Sequence, residues 1–181
     1  MVGANERDRL VTHLVEELGK LARAGADFAV LASNTPHLVF AELQQQSPLP
    51  LLSIVEAACA AAQRLGLRKV GLFGTRFTMQ GGVYQDVFGR AGIAVALPDP
   101  GEQAYIHEKY MGELIQAILL PETRAGLLAI AERMRARQGI EALILGGTEL
   151  PLLLTEAAHN GLPFLDTTRI HVERIVEQML T

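Results

Sequence analysis

Ala26-Asp27-Phe28-Ala29-Val30-Leu31-Ala32-Ser33-Asn34-Thr35 and Ile140-Glu141-Ala142-Leu143-Ile144-Leu145-Gly146-Gly147-Thr148-Glu149 are the two stretches on which the fold turns. They stand 114 residues apart, and each is an apolar run that empties into small polar residues. Such a run is the pattern of a strand covered on both faces. The likeness continues downstream, where Leu49-Pro50-Leu51-Leu52-Ser53 matches Leu162-Pro163-Phe164-Leu165-Asp166 at an offset of 113. Each copy reads as strand, small-polar loop, helix, then Leu-Pro strand. Two such halves facing each other about a pseudo-two-fold axis would set Ser33 opposite Gly147 over a shared cleft.

Working outward, further apolar runs at Val70-Gly71-Leu72-Phe73 and Ile93-Ala94-Val95-Ala96-Leu97 read as strands. Stretches of helical length lie between the strands, at 36–46, 53–65, 78–90, 101–119, 122–138, 149–160 and 167–180. A leading helix over 5–24 carries Leu10, Leu14, Leu18 and Leu21 on one side and stops at Gly25. Strands alternating with helices imply an α/β fold with parallel sheets and right-handed crossovers. In such sheets ligands sit at the C-terminal strand ends.

Composition narrows the function. The 181 residues suit one domain or two small lobes, at a typical size of about 150 residues per domain. With 49% hydrophobic and 20% charged residues the chain is a globular one. Sixteen basic against 20 acidic residues give a net charge of −4, which argues against a nucleic-acid partner. Cys59 is the single cysteine, so no internal disulfide or Cys-based zinc site can form. No apolar run reaches the ~18 residues of a membrane span, and the polar start Asn5-Glu6-Arg7-Asp8-Arg9 is unlike a signal peptide. A cytoplasmic protein with no membrane partner is expected. His13, His37, His107, His159 and His171 form no His-Glu-x-x-His arrangement, so no metal is expected. Arg133, Arg135 and Arg137 read as a solvated helix end.

Three loops carry the candidate chemistry. Ser33-Asn34-Thr35-Pro36-His37 and Gly146-Gly147-Thr148-Glu149-Leu150-Pro151 each join a strand to a helix. A third, Gly71-Leu72-Phe73-Gly74-Thr75-Arg76-Phe77-Thr78-Met79, repeats the theme with two threonines. Hydroxyls and unpaired N–H groups at such places suit a carboxylate or phosphate, although Ser, Thr and Asn also cap helices routinely. Neither the dinucleotide fingerprint nor a P-loop occurs, which argues against a nucleotide. His37, in the first turn after Pro36, reads equally as a surface side chain or a catalytic one. Asp166 beside Thr167-Thr168 reads as the cap of the last helix.

These motifs resemble the aspartate/glutamate racemase superfamily, which also holds maleate isomerases and arylmalonate decarboxylase-like members. The family's Cys-Asn-Thr-x-His appears as Ser33-Asn34-Thr35-Pro36-His37, and its Gly-Cys-Thr-Glu as Gly146-Gly147-Thr148-Glu149. Its intervening Gly-Leu-Leu-x-Thr-x-x-Thr and Gly-x-Tyr appear as Gly71 to Thr78 and Gly82-Val83-Tyr84. The resemblance implies two pseudo-symmetric lobes with parallel sheets flanked by helices. One lobe would be formed by 1–65 with a C-terminal helix near 166–181, the other by 66–165, with the cleft between. It implies a cofactor-independent transfer of the Cα proton of a small acidic amino acid or dicarboxylate. Asn34, Thr35, Thr75, Thr78 and Thr148 would bind substrate. Ser33 and Gly147 take the places of the two cysteines, so the two-thiol route is not open to this chain. Glu149 could serve as a base instead, or complement a helix dipole in its first turn. Cys59, within Glu56-Ala57-Ala58-Cys59-Ala60-Ala61-Ala62, faces the core and cannot substitute.

Family members begin with a strand and a small-residue loop, whereas this chain opens in what corresponds to the next helix. Either the first strand of the first lobe is missing or the sequence is a truncated form, and a homodimer or a swapped element is expected to cover the exposed edge. Two expectations of function follow: a racemase-family protein acting on a small acid, or a catalytically degenerate member that keeps carboxylate binding or an interaction role.

Overall fold

The computed structural model describes residues 4–180. The chain opens with helix α1 (Ala4–Arg23), strand β1 (Ala29–Val30), a 3-10 turn over Thr35–Val39, α2 (Phe40–Gln46) and β2 (Leu51–Leu52). There follow α3 (Ile54–Arg64), β3 (Lys69–Gly74), α4 (Arg76–Gln80), α5 (Val83–Arg90), β4 (Ala94–Ala96) and α6 (Pro100–Gly112). The last third is α7 (Pro121–Gln138), β5 (Ala142–Gly146), α8 (Leu150–Leu153), β6 (Ala158–His159), β7 (Leu162–Asp166) and α9 (Thr167–Met179). No helix is long and apolar enough to cross a membrane among the described residues.

The repeat extends to the pairing register. In the two-stranded sheet Ala29 and Val30 lie beside Leu51 and Leu52, in parallel. In the larger sheet Leu143 and Ile144 lie beside Phe164 and Leu165, also in parallel. These are the very residues that the two sequence offsets match. The next helix is capped the same way in both copies. The Ser53 hydroxyl accepts from the Val55 and Glu56 N–H groups, and the Asp166 carboxylate accepts from those of Thr168 and Arg169. The two helices so capped, α3 and α9, pack against each other.

The larger sheet runs β4-β3-β5-β7-β6, parallel except for the last pair. Its core joins Val70, Leu72 and Phe73 of β3 to Leu143, Ile144 and Leu145 of β5, with Leu127, Ile130 and Met134 of α7 above them. Burying an aromatic or branched side chain of this kind contributes about 1.5–3 kcal/mol. The smaller core consists of Leu18, Ala29, Leu31, Phe40, Leu43 and Leu51. Although α3 follows β2, its Ile54, Val55, Ala58 and Ala62 pack into the larger cluster.

Several details differ from the sequence reading, among them the stretch 101–119, where α6 stops at Gly112 and a 3-10 turn over Leu114–Gln116 follows. On α1 the inward stripe is Val11, Leu14, Val15 and Leu18, while Leu21 is 46% exposed. The helix over 78–90 is two helices, because Gly82 turns the chain at φ 84° and a Cβ on Gly81 would lie 2.0 Å from Leu38 Cδ2. The stretch 149–160 holds only the single turn of α8. Its end is a strand, since Asn160 and Gly161 at φ 48° and 77° form a two-residue hairpin between β6 and β7.

Candidate functional site

Gly74 and Gly146 end β3 and β5 side by side, and Leu145 is paired with Asp166 at the end of β7. Thr75, Gly147 and Thr167 therefore leave the sheet along one C-terminal edge, where open α/β sheets bind ligands. The first loop reaches this edge through its hydroxyls. Thr35 Oγ1 lies 3.2 Å from Thr75 Oγ1 and 3.4 Å from Thr78 Oγ1, and those two are 3.2 Å apart. Thr78 also lies against the end of β5, with its Cγ2 3.3 Å from where a Cβ on Gly146 would stand. Two loops far apart in sequence thus share one hydroxyl cluster, which lies against the end of β5.

Asn34 is held from beneath. Its Oδ1 accepts the Tyr84 hydroxyl at 2.5 Å, and its Nδ2 donates to Thr167 Oγ1 at 3.2 Å. Thr167 in turn donates to the Leu145 carbonyl at 2.8 Å. This buried chain ties the first loop to β5 and α9, and it fixes which way the amide points. Burial raises the Tyr84 hydroxyl well above its ordinary pKa, so it stays a donor.

His37 is neither on the surface nor available for proton transfer. It is buried, stacked on Phe40 at 4.9 Å, and both ring nitrogens are engaged. Nδ1 lies 2.9 Å from the Ser33 carbonyl, and Nε2 accepts the Ile54 N–H at 3.2 Å. Burial, opposed by the Ser33 carbonyl and reinforced by His171, lowers its pKa from 6.5 to about 4. His37 is thus a neutral brace between the first loop and the start of α3. Ser33 itself is half-buried.

At the end of β5 the decisive neighbour is Tyr110, on α6. A Cβ on Gly147 would lie 2.5 Å from both the Cε2 and hydroxyl oxygen of Tyr110, and 2.8 Å from Cζ. The phenol ring occupies the volume that a side chain at 147 would need. Its hydroxyl donates to Glu149 Oε2, which also accepts the Thr148 hydroxyl at 2.7 Å. Burial first, then the Glu149 carboxylate, pushes the Tyr110 hydroxyl well above its usual range. Glu149 precedes α8 but makes no side-chain cap, so its carboxylate serves this cluster and not the helix start.

The structure thus gathers Thr35, Thr75 and Thr78 into one hydroxyl cluster, commits Asn34 to a separate chain with Tyr84 and Thr167, and joins Thr148 and Glu149 to Tyr110 beside Gly147. Cys59 is buried in α3, apart from all of these groups, and burial raises its thiol pKa. Sequence reasoning missed Tyr110, whose only signal is indirect: a glycine at a motif position that normally carries a side chain leaves space to be filled. Thr167 was read only as the neighbour of a cap.

A family model for Asp/Glu/hydantoin racemases matches residues 2–175. The chain belongs to this family. An aspartate racemase homologue from Pyrococcus horikoshii shares the fold with a TM-score of 0.82 and 31% identity, over 94% of this chain and 74% of that one. The broad-specificity amino-acid racemase RacX of Bacillus subtilis is 27% identical over 165 residues, 90% of this chain and 69% of its own length. The glutamate racemase of Aquifex aeolicus is 25% identical over an alignment of 179 residues that covers 92% of this chain but 64% of that enzyme. As a member of the Asp/Glu/hydantoin racemase family, the chain carries the family's α/β architecture over nearly its whole length.

Proposed function

We propose that this Asp/Glu/hydantoin racemase family member holds a small acidic amino acid or dicarboxylate between the 33–37 loop and Gly146–Glu149, and does not invert its Cα. The observation that carries the second half is the Tyr110 ring in the side-chain volume of residue 147. Inversion needs a group that takes the Cα proton on one face and another that returns a proton on the opposite face. Position 147 offers no such group. At position 33 a serine hydroxyl is a poor base without an activating partner. The nearest imidazole, His37, spends Nδ1 on the Ser33 carbonyl and Nε2 on Ile54.

Binding is favoured by the three clustered hydroxyls of Thr35, Thr75 and Thr78, with Asn34 braced beside them. Hydroxyls donating to a carboxylate contribute about 1.5–3 kcal/mol each, because one partner is charged. The family's amino-acid racemases support an amino acid as the ligand. Calorimetric titration with L- and D-aspartate, L- and D-glutamate and succinate tests this reading. At least one should bind, and Thr75→Val should weaken it about tenfold, as loss of one charged hydrogen bond implies. No heat with any of the five would overturn it.

A further inference from the structure

We propose that Tyr110 is a specificity-determining residue: it walls off the 147 side of the cleft, so that one enantiomer of an acidic amino acid is accepted in preference to the other. The proposal rests on the reading of the cleft as the ligand site. Its steric half can be tested without any ligand.

Two side chains cannot share one volume. The 2.5 Å approach of the ring to a Cβ at 147 is well inside the distance at which heavy atoms repel. The ring is also no loose surface group. Tyr110 is 6% exposed, and its hydroxyl is held by Glu149. The helix carrying it is fastened along the same face. Gln103 Oε1 accepts from Gln80 Nε2 at 2.9 Å, and His107 Nδ1 accepts the Arg76 N–H at 3.2 Å. Gln103, His107 and Tyr110 follow each other at spacings of four and three, one stripe of α6 lying across α4 and the end of β5.

When carboxylate, amino group and side chain keep the same contacts, the two enantiomers place Cα and its hydrogen on opposite sides of the plane of those three groups. A fixed ring on one face disfavours the enantiomer whose Cα is pushed towards it. Gly147 is then glycine because the ring is there, and the two positions form a matched pair.

The steric test introduces Gly147→Ala and Gly147→Cys, each with and without Tyr110→Ala. Gly147→Ala should lower the melting temperature in the presence of Tyr110 and cost much less beside Tyr110→Ala. The thiol introduced by Gly147→Cys should react with a thiol reagent about tenfold faster once the ring is removed, because access limits the rate. An equal cost and an equal labelling rate in the two backgrounds would overturn the proposal. So would failure of Gly147→Ala to fold in both. Rescue of folding by Tyr110→Ala would support it.

The ligand test measures the ratio of D to L affinities for aspartate and glutamate. Wild type should discriminate about tenfold, the effect of one modest clash. Tyr110→Phe, which keeps the ring, should retain that ratio, and Tyr110→Ala should bring it towards one. A ratio unchanged by Tyr110→Ala would overturn the proposal. If no amino acid binds wild type, the reading of the cleft fails, and the steric test alone decides whether Tyr110 and Gly147 are paired.

Discussion

His37 carries its proton on Nδ1 in the folded chain, because the Ser33 carbonyl needs a donor and the Ile54 N–H needs an acceptor. A second proton would have to sit on Nε2 and break the bond to Ile54. The consequence for stability has a definite sign. The folded pKa is about 4, below the 6.5 of the free side chain. Between those values the unfolded chain binds a proton that the folded one refuses, so stability falls as the pH drops from 6.5 to about 4. The size is on the order of 3 kcal/mol, at 1.36 kcal/mol per pKa unit. His171, buried with a ring nitrogen at the Leu52 carbonyl, is shifted in the same direction by burial and adds to the slope. Urea unfolding of wild type and His37→Phe across this range should show a lower stability at pH 7 for the variant and a shallower acid slope. Equal slopes would mean that His37 is not the group responsible. The thiol at Cys59 gives a second expectation at this scale. It is buried and its pKa is raised, so it should react slowly in the native state and fully after unfolding. Fast native labelling accompanied by loss of ligand binding would contradict its placement.

At the scale of elements, the repeat makes a quantitative claim. Ser53 and Asp166 are equivalent caps, each accepting two backbone N–H groups at the start of helices that pack on each other. Ser53→Ala and Asp166→Ala should each cost about 1 kcal/mol in urea unfolding, the usual value of a lost cap. A negligible cost at either site would break the equivalence. Ser53 stood only as the last residue of a matched Leu-Pro strand. The Asp166 cap was legible in the sequence because an acidic residue stands there where an apolar strand gives way to a helix. So were the strands at 70–73 and 142–145, whose unbroken apolar runs leave little choice. The end of 149–160 was misread because Leu152-Leu153-Leu154 continues an apolar pattern past the place where α8 stops. The correct signal was Asn160-Gly161, whose positive φ values suit a tight hairpin and no helix interior. The break at Gly81-Gly82 was hidden for another reason: the obstacle to a side chain at 81 is Leu38, distant in sequence.

The whole molecule joins two unequal cores through loops that meet at one sheet edge. Thr78 is central to the join, touching Thr35 of the first loop and lying against the ends of β3 and β5. That Ser33, Thr35, Thr75, Thr78, Gly147 and Glu149 belong to three candidate loops could be read from motif order alone. That Asn34 is committed to Tyr84 and Thr167, and that Tyr110 fills the space beside Gly147, could not, because both depend on how helices cross the sheet. The family likeness supplies an activity to test, and the Gly147–Tyr110 pair supplies the reason to expect its absence. The most direct test incubates the purified protein with L- and with D-aspartate and glutamate in deuterium oxide, then reads enantiomer ratio and Cα deuterium together. No loss of enantiomeric purity is expected, with deuterium at Cα absent or introduced without inversion. Steady racemisation by the unmodified protein, with deuterium in the newly formed enantiomer, would contradict it.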